Sequence, residues 1–349
     1  MIDSLLAFAS KKQATDLHVC PGSKPRVRVF KQLLEMETEV ISAADTYSII
    51  SGMLNEKQMK QLEENKVLDF SFSQKYGRYR ANIYTLQGTY AMAIRILPTD
   101  IPAFYSLGLP HALESFTAKS RGLFLVTGAA NSGKSTTMAS LLDLINTRYH
   151  YHIITIEDPI EYLHENKKSL VTQRAVGDDV QNFALALRAA LREDPNVIMI
   201  GEMRDAETIE MALTAAETGH LVLSSLHTGS AMQTIDRILD SFPERDQNQV
   251  RSQLASVLKG VVSQQLIQRT DEEGYVVACE VMVGTPAVQN LIREGNQHQI
   301  NHVLQTGQRH GMQLIEHDLA NYCLQGIINE ETALQLSTNH VLLQNLLKV

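Results

Sequence analysis

The spacing of hydrophobic positions changes partway along the chain. Up to residue 97, short alternating runs such as Arg26-Val27-Arg28-Val29-Phe30 are typical of half-buried strands. The spacing predicts, in order, a helix, a strand, a longer helix and three strands: 1–12, 26–30, 42–64, 69–72, 79–84 and 90–97. This mixture predicts an α+β domain over residues 1–97.

From residue 116 onward, almost entirely apolar strands alternate with amphipathic helices. The predicted strands are 122–127, 152–156, 197–200 and 221–225, and the helices between them are 134–147, 181–193 and 205–218. Such strands are buried on both faces, so they predict a parallel, doubly wound sheet. Pro98 and Pro102 suggest a linker over 98–115. Residues 230–265 and 286–349 are predicted to be mainly helical, which completes a second domain over 116–349.

Composition excludes several classes of protein. The chain has 349 residues, 44% of them hydrophobic, and a net charge of −8, which disfavours a general nucleic-acid binder. Cys20, Cys279 and Cys323 lie far apart and suggest neither a zinc site nor a disulfide framework. No apolar stretch approaches the length of a membrane span. We therefore expect a cytoplasmic protein with no membrane span and no nucleic-acid partner.

One stretch fits the phosphate-binding pattern G-x-x-x-x-G-K-[ST]. It runs from Gly128 to Thr136, between a predicted strand and a predicted helix, which is the context that the pattern requires. Its N–H groups and the helix N-terminus would face phosphates, with Lys134 at the β/γ-phosphates and Ser135 at Mg²⁺. The alternative is a glycine-rich turn without a ligand. The predicted nucleotide-binding residues are Gly128, Asn131, Ser132, Gly133, Lys134, Ser135 and Thr136.

Three carboxylates follow the second strand of this domain. Ligands of parallel sheets bind at the carboxyl ends of the strands, which is where Glu157, Asp158 and Glu161 are predicted to lie. Carboxylates at this position can hold water bound to Mg²⁺ or orient a nucleophilic water. The alternative is a solvated acidic turn.

Polar residues also follow the next two strands. Glu202 comes after strand 197–200, where Gly201 occupies the usual place of a metal-binding Asp, so we expect Glu202 to polarise the attacking water. The alternative for Glu202 is a structural pair with Arg204. His227 is expected near the γ-phosphate and His220 at the opposite end of the last strand, although an isolated histidine is more often structural.

Longer strings in this region resemble those of a known family. Thr155–Tyr162 resembles the Asp box of the type IV pilus retraction ATPases (PilT-type), which belong to the secretion-ATPase superfamily. Ala189–Pro195 with Gly201–Thr208 is similar to their Walker B region, and Leu213–Thr228 is similar to their His box. The resemblance covers nearly the whole chain. It implies an α/β protein in which an N-terminal PAS-like α+β domain precedes a RecA-like P-loop ATPase domain with a C-terminal helical region.

The resemblance also implies partners and roles. It implies a homo-hexamer that uses ATP and Mg²⁺, with Glu202 activating water, helped by Glu161 or Glu157. Arg80 and Arg95 match family positions whose arginines reach the nucleotide of the neighbouring subunit, and Arg78 lies beside them. A guanidinium on a strand is rigid enough for that task, although an ordinary surface arginine is the alternative. Further implied partners are an inner-membrane platform protein and a paralogous retraction ATPase, at the inner face of the cytoplasmic membrane.

Two stretches depart from the family pattern. Ala129-Ala130-Asn131 stands where Pro-Thr-Gly is usual, and Asn131 is a residue that tolerates left-handed backbone. Gly284–Glu294 resembles the AIRNLIRE segment linked to retraction, but Gln289 replaces an arginine. We expect an ATPase that powers pilus retraction. The alternatives are an accessory retraction paralogue, a pilus-assembly or type II secretion ATPase, and a nucleotide-binding regulator that does not hydrolyse ATP.

Overall fold

A computed structural model of the chain describes residues 1–29, 32–271 and 274–348. Phe30, the last residue of a predicted strand, and Val349, the last residue of the predicted second domain, lie outside them. The chain divides into two compact units. The first comprises Met1–Asp100 and Pro159–Tyr162, and the second comprises the remaining residues from Ile101 onward.

The first unit is built on an antiparallel sheet in the order β3-β2-β1-β6-β5-β4. Its strands are β1 (Asp16–Val19), β2 (Arg26–Val29), β3 (Gln32–Glu35), β4 (Val67–Gln74), β5 (Gly77–Leu86) and β6 (Thr89–Leu97). Alternate residues point to opposite faces of a sheet. Leu17, Ala81 and Ile94 are fully buried on one face, whereas Arg80 and Arg95 are exposed on the other.

Three helices contribute to the buried core of this unit: α1 (Ile2–Lys11), α2 (Ala43–Met53) and α3 (Glu56–Asn65). The single helix predicted over 42–64 is wrong, because the chain starts a new helix after Leu54. Ser42 and Asn55 each accept a hydrogen bond from the backbone three residues later in a capping box. An asparagine at this position satisfies the first N–H groups of a new helix better than it continues an old one.

The second unit contains a mostly parallel sheet in the order β13-β12-β7-β11-β10-β8-β9. Its strands are β7 (Gly122–Thr127), β8 (His152–Glu157), β9 (Leu170–Ala175), β10 (Val197–Ile200), β11 (Leu221–Leu226), β12 (Leu258–Gln268) and β13 (Tyr275–Val283). Only β13 runs antiparallel to its neighbour. The four predicted strands are confirmed as β7, β8, β10 and β11, which occupy the middle of the sheet.

Helices and two large apolar clusters cover both faces of this sheet. The helices are α4 (Glu114–Thr117), α5 (Lys134–Arg148), α6 (Phe183–Ala190), α7 (Ala206–Glu217), α8 (Ala231–Asp240), α9 (Glu244–Val257), α10 (Pro286–Arg293), α11 (Ile300–Thr306), α12 (Ile315–Leu324), α13 (Glu330–Leu336) and α14 (His340–Leu347). Phe104, Leu109 and Leu113, from the stretch predicted as a linker, are buried in this unit. Across the three described ranges, no helix is both long and apolar enough to span a membrane.

The prediction that residues 230–265 are mainly helical is wrong for their last part. Helices α8 and α9 fill Ala231–Val257, but β12 begins at Leu258 and pairs with β7 and β13. The segment Leu258–Ser263 is almost completely buried between these strands. Tertiary pairing therefore decides the structure of a run whose polar residues obscure its strand character.

Candidate active site

Four loops of the second unit start at the same edge of the sheet. Strands β8, β10, β11 and β7 are neighbours and run parallel, so their carboxyl ends lie side by side. The glycine loop follows β7, and Glu202 and His227 follow β10 and β11. The sheet thus places the glycine loop, Glu202 and His227, which the sequence predicted for one nucleotide site, at the same edge.

The glycine loop turns through three residues with left-handed backbone. Gly128, Asn131 and Gly133 have φ angles of 147°, 62° and 88°. The expectation that Asn131 tolerates this conformation in place of glycine is confirmed. The loop ends at Gly133, and Lys134, Ser135 and Thr136 form the first turn of α5, the end of a helix that favours an anion.

The ammonium of Lys134 lies at the centre of this loop. Its Nζ donates to the carbonyl oxygens of Gly128 at 2.9 Å and Ala129 at 2.7 Å, and it lies 3.5 Å from Nδ1 of His227. A buried cation beside a helix N-terminus favours an anion. The loop therefore fits a polyphosphate, for which Lys134 supplies the positive charge.

Glu202 is a carboxylate that contacts the imidazole of His227. Its side chain is 16% exposed, and its Oε2 lies 3.3 Å from Nε2 of His227. It also forms an ion pair with Arg204, which lies 3.6 Å from Asp158. The hydrogen bond with Glu202 raises the pKa of Arg204. The structural pair with Arg204 is thus present, and the geometry also connects Glu202 to Lys134 through His227.

The acidic residues at the end of β8 and just after it do not form one cluster. Glu157 is buried and accepts hydrogen bonds from Oγ1 of Thr155 at 2.6 Å and Nε2 of Gln173 at 3.1 Å. Glu161 lies in Pro159–Tyr162, which belongs to the first unit. Among the described residues, no group of three or more His, Cys, Asp and Glu side chains is arranged to hold a metal ion. A magnesium site here would need oxygen atoms from phosphates and water, which is how Mg²⁺ commonly binds.

His220 lies away from the nucleotide edge. It precedes β11, whereas His227 follows it, so the length of a six-residue strand separates them. Its Nδ1 lies 3.0 Å from the carbonyl oxygen of Ala215 and 3.3 Å from Oγ1 of Thr218. These contacts are local to the end of α7, so the structure does not bring His220 to the loop.

The predicted arginines share one face of the sheet in the first unit. Arg80 on β5 lies directly opposite Arg95 on β6, and Arg78 lies two residues before Arg80. Nε of Arg95 lies 3.0 Å from Oδ1 of Asp16, and Nε of Arg80 lies 3.9 Å from Oδ1 of Asp69. Both guanidinium groups stay substantially exposed, so they are accessible to a partner.

Sequence reasoning missed the polar residues of β12 and β13. Oγ of Ser263 lies 2.8 Å from Oγ1 of Thr127, which precedes the glycine loop, and Gln264 donates to the carbonyl of Ser132. Glu280 accepts a hydrogen bond from the N–H of Ala231 at 2.7 Å, at the start of α8 after the His227 loop. The available signal was the presence of polar residues beside apolar ones, Ser263 and Gln264 after Val261-Val262 and Glu280 within residues 276–283.

We expect Gly128→Ala to weaken nucleotide binding by about tenfold or more, because both space and backbone conformation at this position require glycine. A methyl group there would lie 2.4 Å from the carbonyl oxygen of Gln264 and from Oγ of Ser132. Titration with MgATP measures the effect. Gly219→Ala is the matched control, since its φ is also positive at 115° but nothing lies near the added methyl group. Equal affinities for the Gly128 variant and wild type would contradict this description of the loop.

Burial raises the pKa of Glu280 to about 7. At pH values between the usual pKa of 4.5 and about 7, Glu280 is ionised in the unfolded chain but protonated in the folded chain. The free energy of unfolding therefore falls as the pH rises through this range. Glu280→Gln keeps an acceptor for Ala231 and removes this loss. We expect it to stabilise the protein at pH 8 by on the order of 3 kcal/mol and to change little at pH 4.5.

Thermal unfolding at the two pH values checks this expectation. Glu244→Gln, which changes a carboxylate in the first turn of α9, is the control. A stabilisation by Glu280→Gln that is the same at both pH values would show that the ionisation of Glu280 is not its cause.

Comparisons with known proteins found relatives that align with nearly the whole chain. The protein family described as Type II/IV secretion system protein matches residues 1–345. The chain is 44% identical over 333 residues to the type IV pilus retraction ATPase PilT of Pseudomonas aeruginosa, covering 95% of this chain and 96% of that protein. It is 42% identical to a twitching motility protein of Neisseria gonorrhoeae, over 90% of this chain and 84% of that protein. A crystal structure of the pilus retraction motor PilT with bound ADP aligns with a TM-score of 0.92 at 43% identity, covering 98% of each chain.

Proposed function

The chain belongs to the type II/IV secretion system protein family, and on that premise we propose that it is an ATPase that powers retraction of a type IV pilus. The observation that carries the proposal is 44% identity to a retraction ATPase across nearly the full length of both chains. The predicted resemblance to PilT-type ATPases is confirmed, as is the fold class of an N-terminal α+β domain followed by a P-loop ATPase domain.

In the proposed complex with ATP, the loop from Gly128 to Thr136 holds the β- and γ-phosphates. The phosphate oxygens take over the Nζ donors that Lys134 directs at the carbonyls of Gly128 and Ala129. Ser135, in the first turn of α5, would hold Mg²⁺, which supplies charge neutralisation to the transferring phosphoryl group. The left-handed loop, the helix N-terminus and the buried ammonium support this assignment.

Glu202 is the residue that we assign to the attacking water. It accepts a hydrogen bond from the water and orients it, with Glu157 or Glu161 assisting. His227 lies between Glu202 and Lys134, so it can move a proton or sense phosphate at this point. Arg204 pairs with the same carboxylate, so in the proposed cycle an acceptor site of Glu202 must stay open to the water beside this ion pair.

We further propose a homo-hexamer whose sites are shared between neighbours. Arg80 and Arg95, with Arg78 beside them, would reach the phosphates bound by the adjacent chain. Their exposure on a rigid sheet supports this role. The hexamer would work in the cytoplasm at the inner face of the cytoplasmic membrane, against an inner-membrane platform protein and together with a paralogous retraction ATPase.

Phosphate release by the purified chain, followed by pilus retraction in a strain lacking its own retraction motor, tests the proposal. We expect turnover that depends on MgATP and restored retraction. MgATP binding without turnover would favour a regulator that does not hydrolyse ATP. Turnover with retraction only beside the principal motor would favour an accessory paralogue, and restored pilus assembly would favour an assembly ATPase.

A further inference from the structure

Gln264 of β12 contacts the glycine loop with both its side chain and its main chain. The residue is 1% exposed, and its Nε2 donates to the carbonyl oxygen of Ser132 at 2.8 Å. The same Nε2 would lie 3.1 Å from a methyl group on Gly133, and the carbonyl oxygen of Gln264 would lie 2.4 Å from one on Gly128. One residue thus packs against both ends of the loop.

The chemistry of this contact sets which atom faces the loop. A carbonyl oxygen such as that of Ser132 only accepts hydrogen bonds, so the amide nitrogen of Gln264 must face it. Removing the hydrogen-bond donor of a buried carbonyl costs free energy, because no water takes the place of the donor. Gln264 therefore holds the Ser132 carbonyl against β12, so this oxygen does not turn toward a bound phosphate.

The support for Gln264 comes from outside the loop. Strand β12 pairs with β7 on one side, where Ser263 lies opposite Thr127, and with β13 on the other, where Gln264 lies opposite Cys279. The N–H of Cys279 donates to Asp318 of α12 at 2.8 Å, so β13 is held in turn. A side chain on a strand fixed from both sides keeps its position better than one on a loop.

We propose that Gln264 is a positioning residue that fixes the shape of the phosphate loop and thereby sets the affinity for the triphosphate of ATP. This inference rests on the proposed function, since it concerns the same nucleotide site. Gln264 acts through the backbone of Ser132 and not on the reacting atoms. Its loss therefore raises the Kd and KM for MgATP, while kcat at saturating MgATP changes much less.

Gln264→Glu gives the sharpest test, because the added carboxyl group changes its role with pH. When ionised it presents only acceptors to the Ser132 carbonyl, and when protonated it can donate to that oxygen. Burial raises the pKa of a carboxyl group, so the introduced glutamate becomes protonated as the pH falls. We expect the ratio of variant to wild-type Kd for MgATP to be about tenfold or more at pH 8.5 and to approach one at pH 6.

Two further variants separate positioning from packing. Gln264→Leu keeps the bulk but has no donor, so we expect weak MgATP binding at every pH. Gln268→Glu places the same carboxylate at an exposed position four residues later on β12, and we expect wild-type binding at both pH values. Thermal unfolding of each variant in the absence of nucleotide shows whether the fold is retained.

Several outcomes would overturn the inference. These are a Kd ratio near one for Gln264→Glu at both pH values, a raised ratio that is the same at pH 6 and pH 8.5, or a loss confined to kcat. Wild-type protein that binds no MgATP would overturn the proposed function instead. If the wild type binds MgATP and Gln264→Glu binds it equally well at both pH values, the proposed function stands and only the positioning role of Gln264 is rejected.

Discussion

Lys134→Ala is expected to reduce ATP turnover by about 10²–10³-fold and to weaken MgATP binding, because this ammonium is the cation inside the glycine loop. It is buried and donates to two loop carbonyls at 2.7–2.9 Å. The alanine variant loses both the charge that would stabilise the transferring phosphate and the donor that fixes these carbonyls. Phosphate release and MgATP titration measure the two effects.

Lys119→Gln provides the matched control for the lysine variant. Lys119 is exposed in the same unit, outside the four loops of the site, so losing its charge should leave turnover unchanged. If Lys134→Ala hydrolysed ATP like the wild type, the loop would not be the site of phosphoryl transfer. Thermal unfolding of both variants shows that any loss does not come from unfolding.

Glu202→Gln is expected to lower turnover by about 10²–10⁴-fold while MgATP still binds, because glutamine cannot take a proton from water or polarise it as a carboxylate does. The substitution keeps the shape of a side chain that lies next to His227 and Arg204. Binding is preserved because Glu202 is not a phosphate ligand. Phosphate release at saturating MgATP, together with a binding titration, separates the two properties.

Glu207→Gln is the control for this carboxylate. Glu207 forms an exposed ion pair with Arg188 at 3.4 Å, a type of pair that contributes little to stability. We expect wild-type turnover from it. A Glu202→Gln variant that hydrolyses ATP at the wild-type rate would assign the attacking water to another residue, with Glu157 and Glu161 the next to be tested.

The sequence predicted the central part of the site because local rules decide it. Strands β7, β8, β10 and β11 are short apolar runs that end in polar residues, and parallel strands place those ends together. The glycine loop was recognisable from its spacing, and the unusual Asn131 could be accommodated because asparagine adopts left-handed backbone. These features need no knowledge of distant contacts.

Other features depend on contacts that spacing does not reveal. The strand β12 contains Ser263 and Gln264 among other polar residues that obscure its strand character, and it is fixed by pairing with β7 and β13. Gln264 was missed because its role appears only when β12 lies beside the glycine loop. Likewise, the sequence left two alternatives open for Glu202, a catalytic role or a structural pair with Arg204. The structure contains the pair.

Mixed oligomers test most directly the claim that a neighbouring chain completes each ATP site. One chain would carry Glu202→Gln, the other Arg80→Ala with Arg95→Ala, and the two would be co-expressed with different affinity tags and purified through both. Each parent alone should be inactive. In randomly mixed rings, about a quarter of the interfaces would join an intact Glu202 to intact arginines, so we predict that ATP turnover returns. Mixed oligomers as inactive as both parents, or an arginine variant with wild-type turnover, would contradict the account.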